Sequence, residues 1–173
     1  MSVKGMGFED AVKRAKENKG NNLFIKMKDG DMIAGMPVGE TFPKATHFIK
    51  NDNEKGRQFE CAGDDCEICK SGEKPNVRFY LNFIMLNDTT NMYEAKILNL
   101  SSTALTQLHE CLELAESPFG QSVIKIKRSG SGTDTKYHFH FVKRKEDMPE
   151  VKLADIPKAI YGEDDSFPYG ANA

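Results

Sequence analysis

The chain has no tryptophan and no long apolar run among its 173 residues. The longest uninterrupted apolar stretch runs only from Phe83 to Leu86, whereas a membrane-spanning helix needs about 20 such residues. The charged sequence Phe8-Glu9-Asp10 does not fit the apolar centre of a secretory signal. We therefore expect a soluble, cytoplasmic protein that has no membrane partner.

Catalytic arrangements are missing as well. The four histidines form no readable Ser-His-Asp arrangement, and there is no Walker phosphate loop. The Gly-rich stretch 129–132 opens onto a predicted strand rather than a helix N-terminus, so a hairpin turn is the better interpretation. Three carboxylates, at Asp64, Asp65 and Glu67, lie among cysteines, where we expect them to solvate a loop. The sequence predicts a protein that is not an enzyme.

Charge is distributed unevenly along the chain, although the net charge is only −2. Residues 1–22 carry a net charge of +2, residues 23–144 are neutral, and residues 145–173 carry −4. With 39% hydrophobic residues, the chain is long enough for one domain with a substantial core. We predict a basic N-terminal arm with a short helix, a neutral body and an acidic C-terminal tail that serves in interactions.

Three of the four cysteines, Cys61, Cys66 and Cys69, are clustered on a loop rich in Gly and Asp. Zinc takes four N or S ligands in a tetrahedron, and a Cys-x2-Cys knuckle brings two thiolates to one ion. His47, at the end of a strand-like segment, is the best candidate for the fourth ligand, and His109 is the alternative. Three thiolates and one histidine complete the tetrahedron, so we expect a structural rather than a catalytic ion.

The cysteine spacing also fits a second kind of centre. Cys-x4-Cys-x2-Cys followed by a distant cysteine is the spacing of plant-type two-iron ferredoxins, in which Cys111 would be the fourth ligand. Cys111 falls, however, in an apolar helical stripe. A two-iron electron carrier is therefore the alternative hypothesis, and a zinc-stapled protein-interaction module with an acidic tail is a third.

Hydrophobic periodicity predicts mainly strands. The helical segments predicted are 8–19 and 101–116, and period-two alternation predicts strands over 23–28, 31–36, 42–50, 77–86, 92–98, 122–128 and 136–144. The aperiodic loop 51–75 carries the cysteines and needs a cross-link to be stable. We expect a mainly β fold with one or two α-helices: an OB-fold-like antiparallel barrel of five to six strands with a zinc-stapled loop. A sandwich fits the same periodicity.

The strand face opposite the predicted core combines aromatic rings with cations. Flat rings stack on unpaired bases and cations follow the phosphates, which is what single-stranded nucleic acid requires. Stacking is indifferent to the sugar, so DNA and RNA are both possible ligands. The candidate contacts are Phe24, Lys26, Lys28, Lys44, Phe48, Lys50, Arg78, Tyr80, Lys125, Lys127 and Arg128.

The chain resembles the zinc-containing single-stranded DNA-binding, helix-destabilising proteins of tailed bacteriophages. The resemblance covers roughly residues 20–144 and depends on the order of several motifs. These are a Lys-Asp-Gly turn at 28–30, His47, Cys61 and Cys66-x2-Cys69, then Arg78-Phe79-Tyr80, and finally Lys127-Arg128-Ser129-Gly130-Ser131-Gly132-Thr133-Asp134-Thr135-Lys136-Tyr137.

This resemblance implies an OB-fold groove that binds single-stranded DNA without sequence preference, a structural zinc ion, and a role in DNA replication, recombination and repair. It also implies a basic arm that supports self-association along DNA and an acidic tail that recruits replication or recombination proteins. The arm would use Lys13, Arg14, Lys16 and Lys19, and the tail would use Glu163, Asp164, Asp165 and Phe167. This tail is shorter and less charged than is usual in the family.

Overall fold

The computed structural model of the chain describes residues 7–10, 12, 23–49 and 57–161. The strands are β1 (Met32–Ile49), β2 (Arg57–Glu60), β3 (Asn76–Asn87), β4 (Met92–Ser101), β5 (Ser122–Ser129) and β6 (Lys136–Arg144). The helices that we label are α1 (Glu67–Lys70), α2 (Ser102–Leu114) and α3 (Ile156–Tyr161). Short 3₁₀ turns lie at Gly63–Asp65 and Gly132–Asp134.

The six strands form one antiparallel sheet with β1 at its centre. The strand order is β4-β3-β1-β5-β6, and β2 pairs with the far end of β1. Helix α2 carries the chain from β4 at one edge to β5 on the other side of β1. Within the described residues β4 and β6 do not pair, so the sheet is open, as in a partly open OB-type barrel.

β1 is long enough, at 18 residues, to exchange partners along its length. Its first residues pair with β5, its middle with β3 and its last with β2. Gly35 stands at the first exchange, where an added Cβ would lie 2.5 Å from both the Phe83 ring and the Ile84 carbonyl oxygen. Only glycine therefore lets β1 approach β3 this closely.

The main hydrophobic core lies between the sheet and α2. Leu81 and Phe83 of β3 are fully buried in one cluster with Leu108 and Leu112 of α2. The Ser101 hydroxyl caps this helix by accepting a hydrogen bond from the backbone N–H three residues on, at 3.1 Å. Each buried side chain of this size contributes about 1.5–3 kcal/mol, so α2 is held mainly by its packed face.

Residues 149–161, here called the C-terminal strap, cover the opposite face of the sheet. Ile156 and Ile160 are buried in a cluster with Ile97 of β4, and Tyr80 of β3 packs beside them. The strap belongs to the part that the sequence assigned to the acidic tail. Its residues up to 161 are packed against the body, and the remainder of that tail lies outside the described residues.

Polar contacts fix the end of the strap to β1. Lys44 Nζ donates a hydrogen bond to the Ile160 carbonyl at 2.8 Å, and the Tyr161 hydroxyl donates to the Pro43 carbonyl at 2.9 Å. Each contact joins groups more than 110 residues apart in the sequence. The strap is therefore fixed by directional bonds as well as by apolar burial.

The mainly β fold class with six antiparallel strands is confirmed, and α2 lies between β4 and β5 as the pattern predicted. The predicted strands 31–36 and 42–50 are parts of β1, which is described as far as Ile49.

Segment 23–28 was expected to be a strand and is not one. It makes a single parallel bridge, Phe24 to Ile97, before the chain crosses to β5. Its alternation reflects partial burial against β4 rather than pairing in a ladder.

No helix in the described part of the chain is long and apolar enough to cross a lipid bilayer.

Candidate metal centre and cationic surfaces

Local structure brings the predicted metal ligands together from two hairpin strands and one helical turn. His47 lies near the end of β1, and Cys61 follows β2 directly. The Cys61 N–H donates to the Ala45 carbonyl at 3.0 Å, so the pairing of the hairpin continues up to the first cysteine. Cys66 then occupies the N-cap of α1, and Cys69 lies within that helix.

A tight turn between Cys61 and Cys66 sets the approach of the second thiol. Gly63 has a φ of 75°, in the left-handed region that glycine adopts without a Cβ penalty. The Cys66 N–H donates to the Gly63 carbonyl at 3.1 Å, and the Lys70 N–H donates to the Cys66 carbonyl at 3.1 Å. Backbone hydrogen bonds therefore shape the knuckle, together with a bond from the Ser71 hydroxyl to the Ile68 carbonyl at 2.6 Å, and the thiols are not used in it.

The four side chains have the spacing of a tetrahedral metal site. Their ligand atoms all lie within 4.8 Å of one another, and the Cys61 and Cys69 Sγ atoms are 3.5 Å apart. His47 Nε2 is 3.4 Å from Cys66 Sγ and 3.3 Å from Cys69 Sγ. Zinc bonds of about 2.3 Å to sulfur and 2.0–2.1 Å to nitrogen give tetrahedron edges of about 3.6–3.8 Å. His47, Cys61 and Cys66 are buried and Cys69 is partly exposed, and the four side chains could hold a metal ion such as zinc.

The thiols differ in how readily they ionise. Backbone N–H donors, that of Cys69 first, lower the pKa of Cys66 to about 6 and so favour the thiolate, the form that binds metals. Burial raises the pKa of Cys69 to about 12, and the sulfurs of Cys61 and Cys66 add to the rise. Thiolates this close repel each other, and a divalent cation between them would remove that repulsion.

The alternative ligands lie apart from this group. His109 is 70% exposed on α2, where its Nε2 is 3.5 Å from Glu113 Oε1. Cys111 is on the same helix, and its burial raises the pKa of its thiol. Within the described residues the metal-ligand group contains neither, so the two-iron hypothesis has no fourth cysteine there.

Several predicted nucleic-acid contacts are engaged inside the fold. The Tyr80 ring packs edge-on against Phe24, with centroids 6.3 Å apart, beneath the strap. Arg78 Nε donates to Asn99 Oδ1 at 2.8 Å. Lys44, besides its bond to the strap, lies 3.4 Å from Glu60 Oε1. The side chains of Tyr80, Arg78 and Lys44 therefore already contact other residues of the chain.

Arg128 is also directed inward. Its Nη1 donates to the Met27 carbonyl, and its Nη2 donates to Thr135 Oγ1 at 3.3 Å. Arg128 therefore connects the turn before β1 to the Gly-rich turn between β5 and β6.

Other predicted contacts face solvent. Phe48 is 68% exposed at the end of β1, next to His47. Lys26 and Lys28 are exposed before β1, and Lys125 and Lys127 are exposed on β5. Lys50, the arm cations and the tail residues Glu163, Asp164, Asp165 and Phe167 lie outside the described residues.

Sequence reasoning missed the histidines and the ring that lie near Lys125 and Lys127. His138 and His140 of β6 face the same side of the sheet, and Tyr93 of β4 lies with Lys143 at a nearby cavity. The alternation of apolar and polar residues along β6 indicates that His138 and His140 share an exposed face, so the sequence did contain a signal for these two residues. Tyr93 could be placed there only once the strand order was known.

Together the fold and the site define an open, mainly β protein with a buried group of one histidine and three cysteines that could bind a metal ion. Comparison with protein-family models, with curated proteins and with solved structures returned no match.

Proposed function

We propose that this protein binds single-stranded DNA without sequence preference, and that a structural zinc ion on His47, Cys61, Cys66 and Cys69 supports its binding surface. The sequence resemblance to phage helix-destabilising proteins suggests a role in replication, recombination and repair. The open OB-type strand order is a scaffold on which oligonucleotides are often bound, at the sheet face and at the loops beside it.

The observation that carries the proposal is the position of Phe48. Its ring is 68% exposed although the adjacent residue, His47, is buried in the metal-ligand group. A metal ion that fixes His47 would also fix the backbone that presents this ring. A rigid, exposed ring is what base stacking requires, and each stacked base contributes about 1–3 kcal/mol.

Zinc is the metal that the donor set favours. Thiolate and imidazole ligands suit zinc, and three cysteines with one histidine fill a tetrahedron and leave no position for a catalytic water. In this role the ion links β1 and β2 to α1. Ligation energy in such a site is folding energy, so removal of the metal should loosen the hairpin that carries Phe48.

Fluorescence anisotropy with labelled oligo-dT tests the proposal. We expect binding at low salt, with log affinity falling against log salt by about 0.7 per phosphate contacted. Chelation should weaken binding, and elemental analysis should find zinc in the untreated protein. Oligo-U as a competitor compares RNA with DNA. A metal-loaded protein that does not bind oligo-dT at low salt would favour the protein-interaction module instead.

A point variant tests the stacking role of Phe48 in the same assay. Phe48→Ala should lower affinity about 5- to 150-fold, which corresponds to about 1–3 kcal/mol of lost stacking. Phe119→Ala is the matched control, because Phe119 is 45% exposed in the turn after α2, away from the metal-ligand group. Equal affinities for the two variants would refute a stacking role for Phe48.

A further inference from the structure

The outer face of the β5–β6 hairpin carries lysines and histidines. The two strands contain six Lys or Arg residues, two His and no carboxylate, although Arg128 is directed inward and Arg144 Nε lies 3.9 Å from Glu146 Oε1. The register places Lys125 opposite His140 and Lys127 opposite His138, and all four side chains are exposed. Side chains two residues apart on a strand stand about 6.6–6.8 Å apart, so these groups form two parallel rows.

This face continues onto β1 without a break. Ala34 lies opposite Lys125, and Met32 lies opposite Lys127. Met32 is largely exposed, and Ala34 is also solvent-facing. The rows of lysines and histidines are therefore bordered by apolar surface on the β1 side.

A small cavity opens next to Ala34. Its volume is about 190 Å³, and its lining includes Ala34, Ile84, Leu86, Tyr93, Val123 and Lys143. Pockets that enclose a whole small molecule measure about 300–1,000 Å³. The smaller volume suits a single flat ring that is presented by a larger molecule bound outside.

An aromatic ring and an ammonium group stand together at this cavity. Tyr93 is 45% exposed, and Lys145 Nζ lies 4.5 Å from the centroid of its ring. Lys145 Nζ also donates a hydrogen bond to the Tyr93 hydroxyl at 3.2 Å. The cavity thus combines a stacking surface with a fixed positive charge.

We infer that single-stranded nucleic acid binds across this outer face of β5 and β6, with phosphates on Lys125 and Lys127 and a base in the cavity beside Tyr93. The inference rests on the proposed function and names its surface. Charge complementarity requires a polyanion, and the ring-sized apolar cavity requires a polymer whose flat groups are unpaired. A duplex would keep its bases stacked inside and could not fill the cavity.

The other candidate surface, further along the same side of the sheet, is less accessible. The face of β1 and β3 with Tyr80 and Lys44 is covered by the strap, whose Ile156 is almost completely buried. A ligand there would first have to remove the strap and expose its apolar side chains. The β5–β6 face needs no such rearrangement.

Three variants of the full-length, zinc-loaded protein test the inference by anisotropy with oligo-dT over a range of salt concentrations. Lys125→Ala/Lys127→Ala should bind at least tenfold more weakly, with a salt slope shallower by about 1.4, because two phosphate contacts are lost. Tyr93→Leu should lower affinity severalfold with little change in the slope, since it removes the stacking ring and leaves the Lys145 charge in place. Lys152→Ala/Lys158→Ala is the control, because it removes two exposed charges from the strap.

The outcomes separate this inference from the function on which it rests. If the parent protein does not bind oligo-dT, the proposed function fails. If the parent binds and Phe48→Ala weakens it, but the Lys125/Lys127 and Tyr93 variants bind like the strap control, only this surface is wrong. Binding of poly-glutamate that oligo-dT does not displace would also overturn the assignment, because the face would then be a site for acidic peptides.

Discussion

The Asn82 side chain of β3 forms two hydrogen bonds with the backbone of one strap residue, Ala154. Asn82 Nδ2 donates to the Ala154 carbonyl at 3.2 Å, and the Ala154 N–H donates to Asn82 Oδ1 at 2.9 Å. Asn82 is only 5% exposed. A buried amide that satisfies a backbone N–H and carbonyl in this way fixes the position of the strap on the sheet.

Asn82→Ala should therefore destabilise the protein by about 1–3 kcal/mol, because the Ala154 backbone groups lose partners in a largely apolar setting. Urea denaturation measures the loss, and amide hydrogen exchange at Ala154 should accelerate. Asn76→Ala, at an exposed position of the same strand, is the control and should change little. Unchanged exchange at Ala154 would show that apolar burial alone holds the strap.

Gly35→Ala should also be destabilising, for a steric reason. The new Cβ would lie 2.5 Å from the Phe83 ring and the Ile84 carbonyl oxygen, so β1 would have to move away from β3. Overpacking of this kind costs about 1–3 kcal/mol. In thermal or urea denaturation Gly7→Ala should behave like the parent, because the nearest atom to its added Cβ is 3.8 Å away. Parent-like stability of Gly35→Ala would contradict the close crossing.

Histidine substitutions distinguish the two candidate fourth ligands of the metal centre. His47→Gln should lose the bound metal, and its melting temperature should fall towards that of the chelated parent, because ligation energy is folding energy here. His109→Gln should keep the metal, since His109 is exposed on α2 and paired with Glu113. Elemental analysis of both variants measures the bound metal. Loss of the metal from His109→Gln would indicate that His109, rather than His47, is the fourth ligand.

The metal-ligand group was the part of the site that the sequence predicted best. Cys61, Cys66 and Cys69 are close in the chain, so the knuckle is a local structure and its spacing is visible directly. His47 could be proposed because a hairpin returns over a neighbouring loop, and β1 and β2 do form that hairpin. Helix α2 was equally clear, because its cap and apolar stripe are local features.

The covering of the β3 face was not visible in the sequence. The alternation of Arg78 and Tyr80 with core residues predicts an exposed face of rings and cations. The structure instead covers this face, where Asn82 is buried under Ala154, 72 residues further along the chain. A short segment with two buried isoleucines has no periodicity that reveals its distant partner, so the strap became evident only from tertiary contacts.

Arg128 offers a last test, because the sequence and the structure give it different roles. As a phosphate contact it would be replaced adequately by lysine, which keeps the charge. Its guanidinium instead donates to the Met27 carbonyl and to Thr135 Oγ1, two acceptors that a single ammonium cannot reach in the same geometry. Arg128→Lys should therefore lower the free energy of unfolding by about 1–3 kcal/mol.

The same variant should keep the parent's salt slope in the oligo-dT assay, because no phosphate contact is removed. Lys127→Ala is the informative comparison, since it removes an exposed charge from the adjacent position. That variant should leave the urea midpoint unchanged and make the slope shallower by about 0.7. If Arg128→Lys proved as stable as the parent and bound oligo-dT with a shallower slope, the guanidinium would be a ligand contact rather than a brace between two turns.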